Sequence, residues 1–394
     1  MQVISLNLMK SDREMVEWTG VILAGGIGSR LRPITADRPK PLVPVVGKPM
    51  IIYAIDLLRY AGVKNIIIVL RHMDDQIRKF LAGKDFGINI EIPHVNSLDT
   101  ADAVRKVSEY IKTDYFVVSM ADIITNIHMR EYLDFQTTKG GIGSISLVST
   151  DMPHQFGVIV LDQNNKIHSF LEKPDSVELY YSSLFSSENV HMYTNLINTG
   201  IYAFHREILD ILNETSLMDF GKDVFPYLLE NDYDLYGYIA RYYWQDAGSP
   251  EYYKYTNWDL LRKWAWPIVP PGKEVREYIW IGENSIVPNL EKLQQYVAIG
   301  DKCRLDQNVR IESLSAIGNK VEIGQNTLIK ESVIWDNVHI GANCKIFNSI
   351  ICENVEIGDN VVLEPHVVIA SNSKIKTGMR ITAGRMFDPH SEIG

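Results

Sequence analysis

The sequence predicts an open, Rossmann-like, doubly wound α/β domain with a mixed sheet, followed by a β-solenoid. Three observations carry this expectation. Short β-branched runs alternate with helix-period segments from Thr19 onward, a glycine-rich turn follows the first of those runs directly, and an apolar-glycine pair recurs through the last third of the chain. At 394 residues the chain exceeds one core, since a domain takes roughly 100–200 residues. With 46% hydrophobic and 22% charged residues it has the material for packed interiors.

In chain order, the alternation runs through Gly20–Leu23, Met50–Tyr60, Asn65–Leu70, Asp75–Leu81, Ile88–Ile92, Ala101–Ile111 and Tyr115–Met120. That pattern predicts β-α-β units. The strand runs are apolar nearly throughout, as in parallel strands covered by helices on both faces. From Gly143 to Ala203 strand pairs flank turns such as Asp162-Gln163-Asn164-Asn165, so the sheet is expected to be mixed. A helix is expected over Glu251–Trp264, after which Pro267, Pro270, Pro271 and Gly272 interrupt regular structure. The organisation read from this is a tail over 1–18, an α/β domain over 19–265, a linker over 266–274 and a solenoid over 275–394.

Within the solenoid region the pairs are Ile281-Gly282, Ile299-Gly300, Ile317-Gly318, Ile323-Gly324, Ile340-Gly341, Ile357-Gly358 and Thr377-Gly378, spaced 18, 18, 6, 17, 17 and 20 residues apart. Near-multiples of six predict coils of three six-residue sides, with the apolar residue inward and glycine allowing the corner.

A formal charge of −10 argues against nucleic acid or an anionic membrane as a partner, because both select basic surfaces. Apolar runs such as Asn65–Leu70 are far shorter than the about 20 residues of a membrane helix. Residues 1–17 carry Lys10, Asp12, Arg13, Glu14 and Glu17, which break any secretory apolar run. Cys303, Cys344 and Cys352 show neither disulfide nor zinc spacing, so a cytoplasmic setting is expected.

The chemistry is concentrated in Leu23-Ala24-Gly25-Gly26-Ile27-Gly28-Ser29-Arg30-Leu31 and the following Lys40-Pro41-Leu42-Val43-Pro44. Glycines after a first strand let backbone N–H groups approach phosphate at the carboxyl edge of the sheet. Leu31 stands where a dinucleotide motif has its third glycine, and no Gly-Lys-Ser/Thr follows for a Walker loop. Arg30 and Lys40 are cations suited to a leaving pyrophosphate.

On these residues the chain resembles the sugar-1-phosphate nucleotidyltransferases, whose Gly-Gly-x-Gly-Ser/Thr-Arg-Leu and Lys-Pro-Leu-x-Pro segments are matched by Gly25–Leu31 and Lys40–Pro44. The resemblance implies a nucleotidyltransferase fold, with Leu23, Ala24, Gly25, Gly26, Gly28, Ser29 and Thr100 binding nucleotide and Arg30 and Lys40 acting on the triphosphate. It implies Asp122 and Asp246 as Mg²⁺ ligands, the latter within Trp244-Gln245-Asp246-Ala247-Gly248-Ser249-Pro250-Glu251. Gly157, Glu172, Lys173 and Asn198 would take the sugar phosphate. Leu98-Asp99-Thr100-Ala101-Asp102 departs from the family's Leu-Gly-Thr-Ala-Gly, putting carboxylates where glycines stand.

Arg38–Pro44, Gly47–Met50 and the solenoid look most like the mannose-1-phosphate guanylyltransferases, whose appended solenoid is a left-handed parallel β-helix. The implied substrates are GTP and mannose-1-phosphate, with uridylyl or thymidylyl transfer to glucose-1-phosphate as the alternative, and the implied state is a homo-oligomer. Two further readings stay open. One is acetyl transfer on the solenoid, with His339 or His366 as base; the other is a silent regulatory subunit, which Asp99 and Asp102 would favour. The remaining histidines show no metal or nucleophile pattern.

Overall fold

The computed structural model describes residues 16–150, 157–172 and 195–394. Strand β1 (Trp18–Ala24) is buried along its whole length and lies between parallel β2 (Asn65–Leu70) and β4 (Tyr115–Met120), with β3 (Asn89–Glu91) outside β2. Successive side chains of a strand point to opposite faces. Accordingly Val21 and Leu23 pack with Ala103 and Val104 of helix α3 (Thr100–Lys106), and Ile22 and Ala24 with Ile51, Ala54, Ile55 and Leu58 of helix α1 (Met50–Tyr60). One sheet therefore separates two apolar layers, as the buried strand runs predict.

Helix α2 (Asp74–Leu81) links β2 to β3, and β5 (Ile123–Thr125) leads into helix α4 (Met129–Lys139). The sheet is mixed: β9 (Leu196–His205) runs antiparallel to β4 and to β6 (Gly143–Ser149), and β7 (Gly157–Leu161) pairs antiparallel with β8 (Ile167–Glu172). After helices α5 (Ile208–Glu214) and α6 (Phe225–Glu230), β10 (Leu235–Ile239) joins β6 in parallel. Last, β11 (Trp244–Asp246) forms a separate antiparallel ribbon with β5. Ser249 then caps helix α7 (Pro250–Leu261) by accepting from the Tyr252 N–H.

From Ile279 onward three sheets of short parallel strands form a β-helix. Ile299, Ile317, Ile334, Ile351 and Ile369 stack in register down one sheet and face the common core. The glycines do a different job from the one expected. The left-handed corner residues include Asn337, Asn354 and Asn372, with φ of 58°, 58° and 62°, and of the seven repeat glycines only Gly378 has positive φ. The others are required by stacking: a Cβ on Gly318 would lie 2.4 Å from Asp336 Oδ1, and one on Gly341 would lie 2.4 Å from Asp359 Oδ1 of the next coil. Asparagine tolerates the left-handed conformation through its short polar side chain, which leaves the glycine position free to satisfy packing.

The two units share a buried cluster in which Leu31, Tyr53 and Tyr253 meet Trp280, Ala298, Trp335 and Cys352. The Tyr253 hydroxyl donates to the Pro44 carbonyl at 2.5 Å and accepts from Trp335 Nε1 at 2.8 Å. Arg38 lies 5.1 Å over the Trp335 ring and is ion-paired with Glu353. The loop carrying Lys40 thus rests on the β-helix. Among the described residues no helix is long and apolar enough to cross a membrane.

Candidate active site

The carboxyl edge of the parallel strands opens into a cleft of about 190 Å³ lined by Leu23, Ala24, Gly25, Gly26, Lys40, Thr100 and Asp122, among others. Three separate segments build its anionic centre. The Ala121 N–H donates to Leu23 O at 3.0 Å and holds the end of β4 against the end of β1, so that Asp122 stands beside the glycine turn. The β5–β11 ribbon pairs Asp246 with Ile123 and brings the second carboxylate to the same place. Lys40, in a 3-10 turn over Lys40–Leu42, then reaches between them.

Lys40 Nζ donates to Asp122 Oδ2 at 2.6 Å and to Asp246 Oδ1 at 3.0 Å, and the residue is only 5% exposed. Burial opposes its charge, but the two carboxylates outweigh that cost and hold the ammonium above its ordinary pKa. Arg30 Nη2 meets the other oxygen of Asp246 at 3.5 Å and is otherwise solvent-facing. Gly248 makes room for this contact, since a Cβ there would fall 2.9 Å from Asp246 Oδ2 and 3.1 Å from Arg30 Nη2.

The glycine turn is shaped by Gly28, whose φ of 69° suits glycine and whose carbonyl accepts from Thr35 Oγ1 at 2.7 Å. Ser29 is exposed at the start of the following 3-10 turn, beside rather than inside the cleft lining.

Asp99 and Asp102 have opposite fates. Asp99, not Thr100, is the cap of α3: its Oδ1 accepts from the Thr100 N–H at 2.9 Å while the residue lines the cleft. Burial and the neighbouring Asp219 raise its pKa. Thr100 donates its hydroxyl to Asp219 Oδ2 at 3.0 Å and accepts from the Phe220 N–H at 3.0 Å. Asp102 is fully buried; it accepts from the Leu98 N–H at 2.7 Å and is paired with Arg105. Burial alone would raise the Asp102 pKa, but these partners lower it. Asp102 is therefore a tie for the loop before α3, outside the cleft lining.

On the other side of Asp122, Asn198 braces a bulge in β9: its Oδ1 accepts from the Gly200 N–H at 2.9 Å and its Nδ2 donates to the Tyr202 hydroxyl at 3.0 Å. A Cβ on Gly200 would come 3.1 Å from Met120 and 3.0 Å from Ile123, so this bulge abuts the end of β4. Gly157, buried in β7, pairs with Glu172 and lies one residue from the Val158–Ile197 pair. Lys173 and the side chain of Glu172 lie outside the described residues, as do residues 1–15 of the tail.

Arg71 and Ser97, which motif reading does not single out, also line the cleft. The rule that open α/β sheets bind ligands beyond their strand ends points to Arg71, the residue directly after β2.

Among the described residues no group of three or more His, Cys, Asp and Glu side chains is placed to hold a metal. Two carboxylates sharing one cation nevertheless suit Mg²⁺, which takes one or two protein carboxylates and completes its shell with substrate phosphate and water. Asp122 and Asp246 are the two carboxylates that share Lys40.

The Nucleotidyl transferase family model matches residues 19–263, well over half of the chain. The chain belongs to this nucleotidyl transferase family. A second model, the EIF2B subunit epsilon LbH domain, matches residues 276–381, and the strands there form the coils of a left-handed β-helix. The chain is 30% identical over 280 residues to a UTP–glucose-1-phosphate uridylyltransferase of Synechocystis, covering 67% of this chain and 69% of that protein. It is 28% identical to a mannose-1-phosphate guanylyltransferase of Mycobacterium tuberculosis, covering 61% and 64%, and 33% identical to a mannose-1-phosphate guanyltransferase of Saccharomyces cerevisiae, covering 59% and 62%. The match thus spans less than two thirds of the guanylyltransferases' length. Among solved structures, a putative glucose-1-phosphate thymidylyltransferase from Bacillus anthracis is 27% identical with a TM-score of 0.50, covering 61% of this chain and 94% of that one.

Proposed function

We propose that this nucleotidyl transferase joins a nucleoside triphosphate to a sugar-1-phosphate, releasing pyrophosphate, with GTP and mannose-1-phosphate as the substrates. The observation that carries the reading is the Lys40 ammonium seated between Asp122 and Asp246 directly below a glycine turn. No protein nucleophile is required, because a sugar-phosphate oxygen attacks the α-phosphorus in line and the work lies in alignment and charge neutralisation.

In that reaction the glycine turn presents backbone N–H groups to the triphosphate, and Arg30 and Lys40 neutralise the departing pyrophosphate. Asp122 and Asp246 would hold Mg²⁺, which supplies charge neutralisation between the two phosphate groups. Asn198, Gly157, Glu172 and Lys173 are the proposed sugar-phosphate side of the site. The guanylyltransferase relatives support the choice of GTP and mannose-1-phosphate. The cyanobacterial relative favours a second reading, uridylyl transfer to glucose-1-phosphate.

The solenoid histidines stand elsewhere: His339 is exposed and 3.2 Å from Glu322, and His366 Nδ1 lies 3.2 Å from Lys254 Nζ at the junction with α7. The silent-subunit reading loses support because Asp102 is absorbed into the loop and the cations and carboxylates are assembled. A homo-oligomer is the proposed state, checked by light scattering.

The test is pyrophosphate release with Mg²⁺ over GTP, UTP, dTTP, CTP and ATP against mannose-, glucose- and N-acetylglucosamine-1-phosphate, with Asp246→Ala as the blank. GTP with mannose-1-phosphate is expected to lead. Release only with UTP and glucose-1-phosphate would replace the substrates, and silence from folded protein would remove the enzyme reading.

A further inference from the structure

We propose that Asp99 and Arg71 are the base-reading pair of this cleft and select guanine, an inference that rests on the nucleotidyl-transfer reading. The glycine turn, Arg30, Lys40 and the two carboxylates fix where the triphosphate lies. The same cleft is also lined by Val69, Arg71, Ser97 and Asp99, and the base is assigned to this part of it. Arg71 and Asp99, of opposite charge type, both line that part of the cleft. Arg71 lies across Gly25, where a Cβ would come 3.1 Å from Arg71 Cβ, and its Nη1 donates to the Leu98 carbonyl at 2.8 Å. Asp99 uses Oδ1 for the Thr100 N–H and stands beside Asp219, which leaves part of its lone-pair capacity for a ligand. Neither is ion-paired among the described residues.

A guanidinium has five N–H donors and a carboxylate about four lone-pair sites, so both retain partners to offer a ligand. Guanine complements such a pair: O6 and N7 accept, and the adjacent N1–H and N2–H donate. Uracil presents a single N3–H flanked by two carbonyl oxygens, which a carboxylate repels. Adenine presents an amino group where guanine has O6, opposite a guanidinium that only donates. A glycine at position 99, as in the family pattern, would leave the donor edge of the base unread by a side chain. The carboxylate in this chain supplies that reading, and the α3 cap it forms holds it in place.

The experiment titrates the full chain with GTP, ITP and UTP in Mg²⁺ without sugar, using wild type, Asp99→Gly and Arg71→Met, with pyrophosphate release measured alongside. ITP is GTP without the 2-amino group, so it isolates the contact to Asp99. Wild type is expected to bind GTP roughly ten-fold tighter than ITP, the scale of one good polar base contact. Asp99→Gly should bring the two within about two-fold, and glycine is a tolerated helix cap, so the fold is expected to persist. Arg71→Met should weaken GTP and ITP equally, since both carry O6 and N7. Equal affinity for GTP and ITP in wild type, or a preference that survives Asp99→Gly, overturns the inference. Pyrophosphate release with UTP leading overturns the guanine assignment and leaves the transferase reading intact, whereas folded protein that binds no nucleotide overturns that reading itself.

Discussion

The β-helix and the active site of the α/β domain hold charged and polar groups together over very different distances in sequence. In the β-helix, contacts recur at one coil's separation: Asp336 accepts from the Asn319 N–H 17 residues away, and Asp359 likewise accepts from the Ala342 N–H. At the active site, Lys40 meets carboxylates 82 and 206 residues away. In the first case stability is spread over repeated equivalent contacts. In the second, a single cluster is positioned by the packing of the whole domain, so removing one atom there affects chemistry far more than folding.

The largest expected effect breaks the site alone. Lys40→Met should lower kcat/KM for pyrophosphate release about 10³-fold, near 4 kcal/mol of transition-state stabilisation. Its melting temperature should move less than that of any β-helix core variant, because Asp122 and Asp246 remain part-exposed to water and cations. A collapse of stability with activity would erase the contrast between the two regions.

Ile340→Ala is the converse. The side chain is fully buried between coils, and its loss should cost about 3 kcal/mol on thermal or urea unfolding while kcat at 25 °C stays within about two-fold. A large fall in kcat would show that the β-helix core and the site are one cooperative unit.

Asp102→Asn comes next, at about 2 kcal/mol near neutral pH. The folded pKa of Asp102 is depressed, because the Leu98 N–H and Arg105 outweigh its burial. Its contribution is therefore present above the unfolded value near 3.9 and is lost as pH falls through the lower folded value. Urea midpoints of wild type and variant should begin to converge as pH falls below about 4 and meet once it passes the depressed folded value, and a gap that never narrows in acid would remove the charge from the explanation.

Trp335→Phe is the smallest, about 1–2 kcal/mol, since it deletes the N–H that meets Tyr253 and part of a buried ring while keeping an aromatic group there. Because Tyr253 also holds Pro44, comparison of kcat with KM in this variant reports whether the junction is felt at Lys40.

Local periodicity made much of the fold legible in the chain. Apolar strand runs mark the order β1, α1, β2, and the near-six spacing marks the coils, because burial imposes both patterns on neighbouring residues. The corner assignment differs from expectation because a glycine in a repeat serves either backbone conformation or close approach, and spacing does not separate the two. Asp102 illustrates the same ambiguity: its carboxylate stands where the family pattern has glycine, yet Arg105 and Lys106, three and four residues on, are placed to pair with it on a helix. Arg71 escapes motif reading because nothing in its neighbours marks it, and its place in the cleft is set by where the end of β2 meets the glycine turn.

By itself the sequence determined the alternation of strand and helix, the solenoid repeat and the types of residue available for phosphate chemistry, all of which depend on neighbours along the chain. Only the tertiary structure decided that Lys40 lies between Asp122 and Asp246, that Asp99 faces the cleft while Asp102 turns inward, and that the Lys40 loop rests on Trp335 and Glu353. Those arrangements depend on which faces the helices cover and where the sheet ends meet, and packing over long separations sets both.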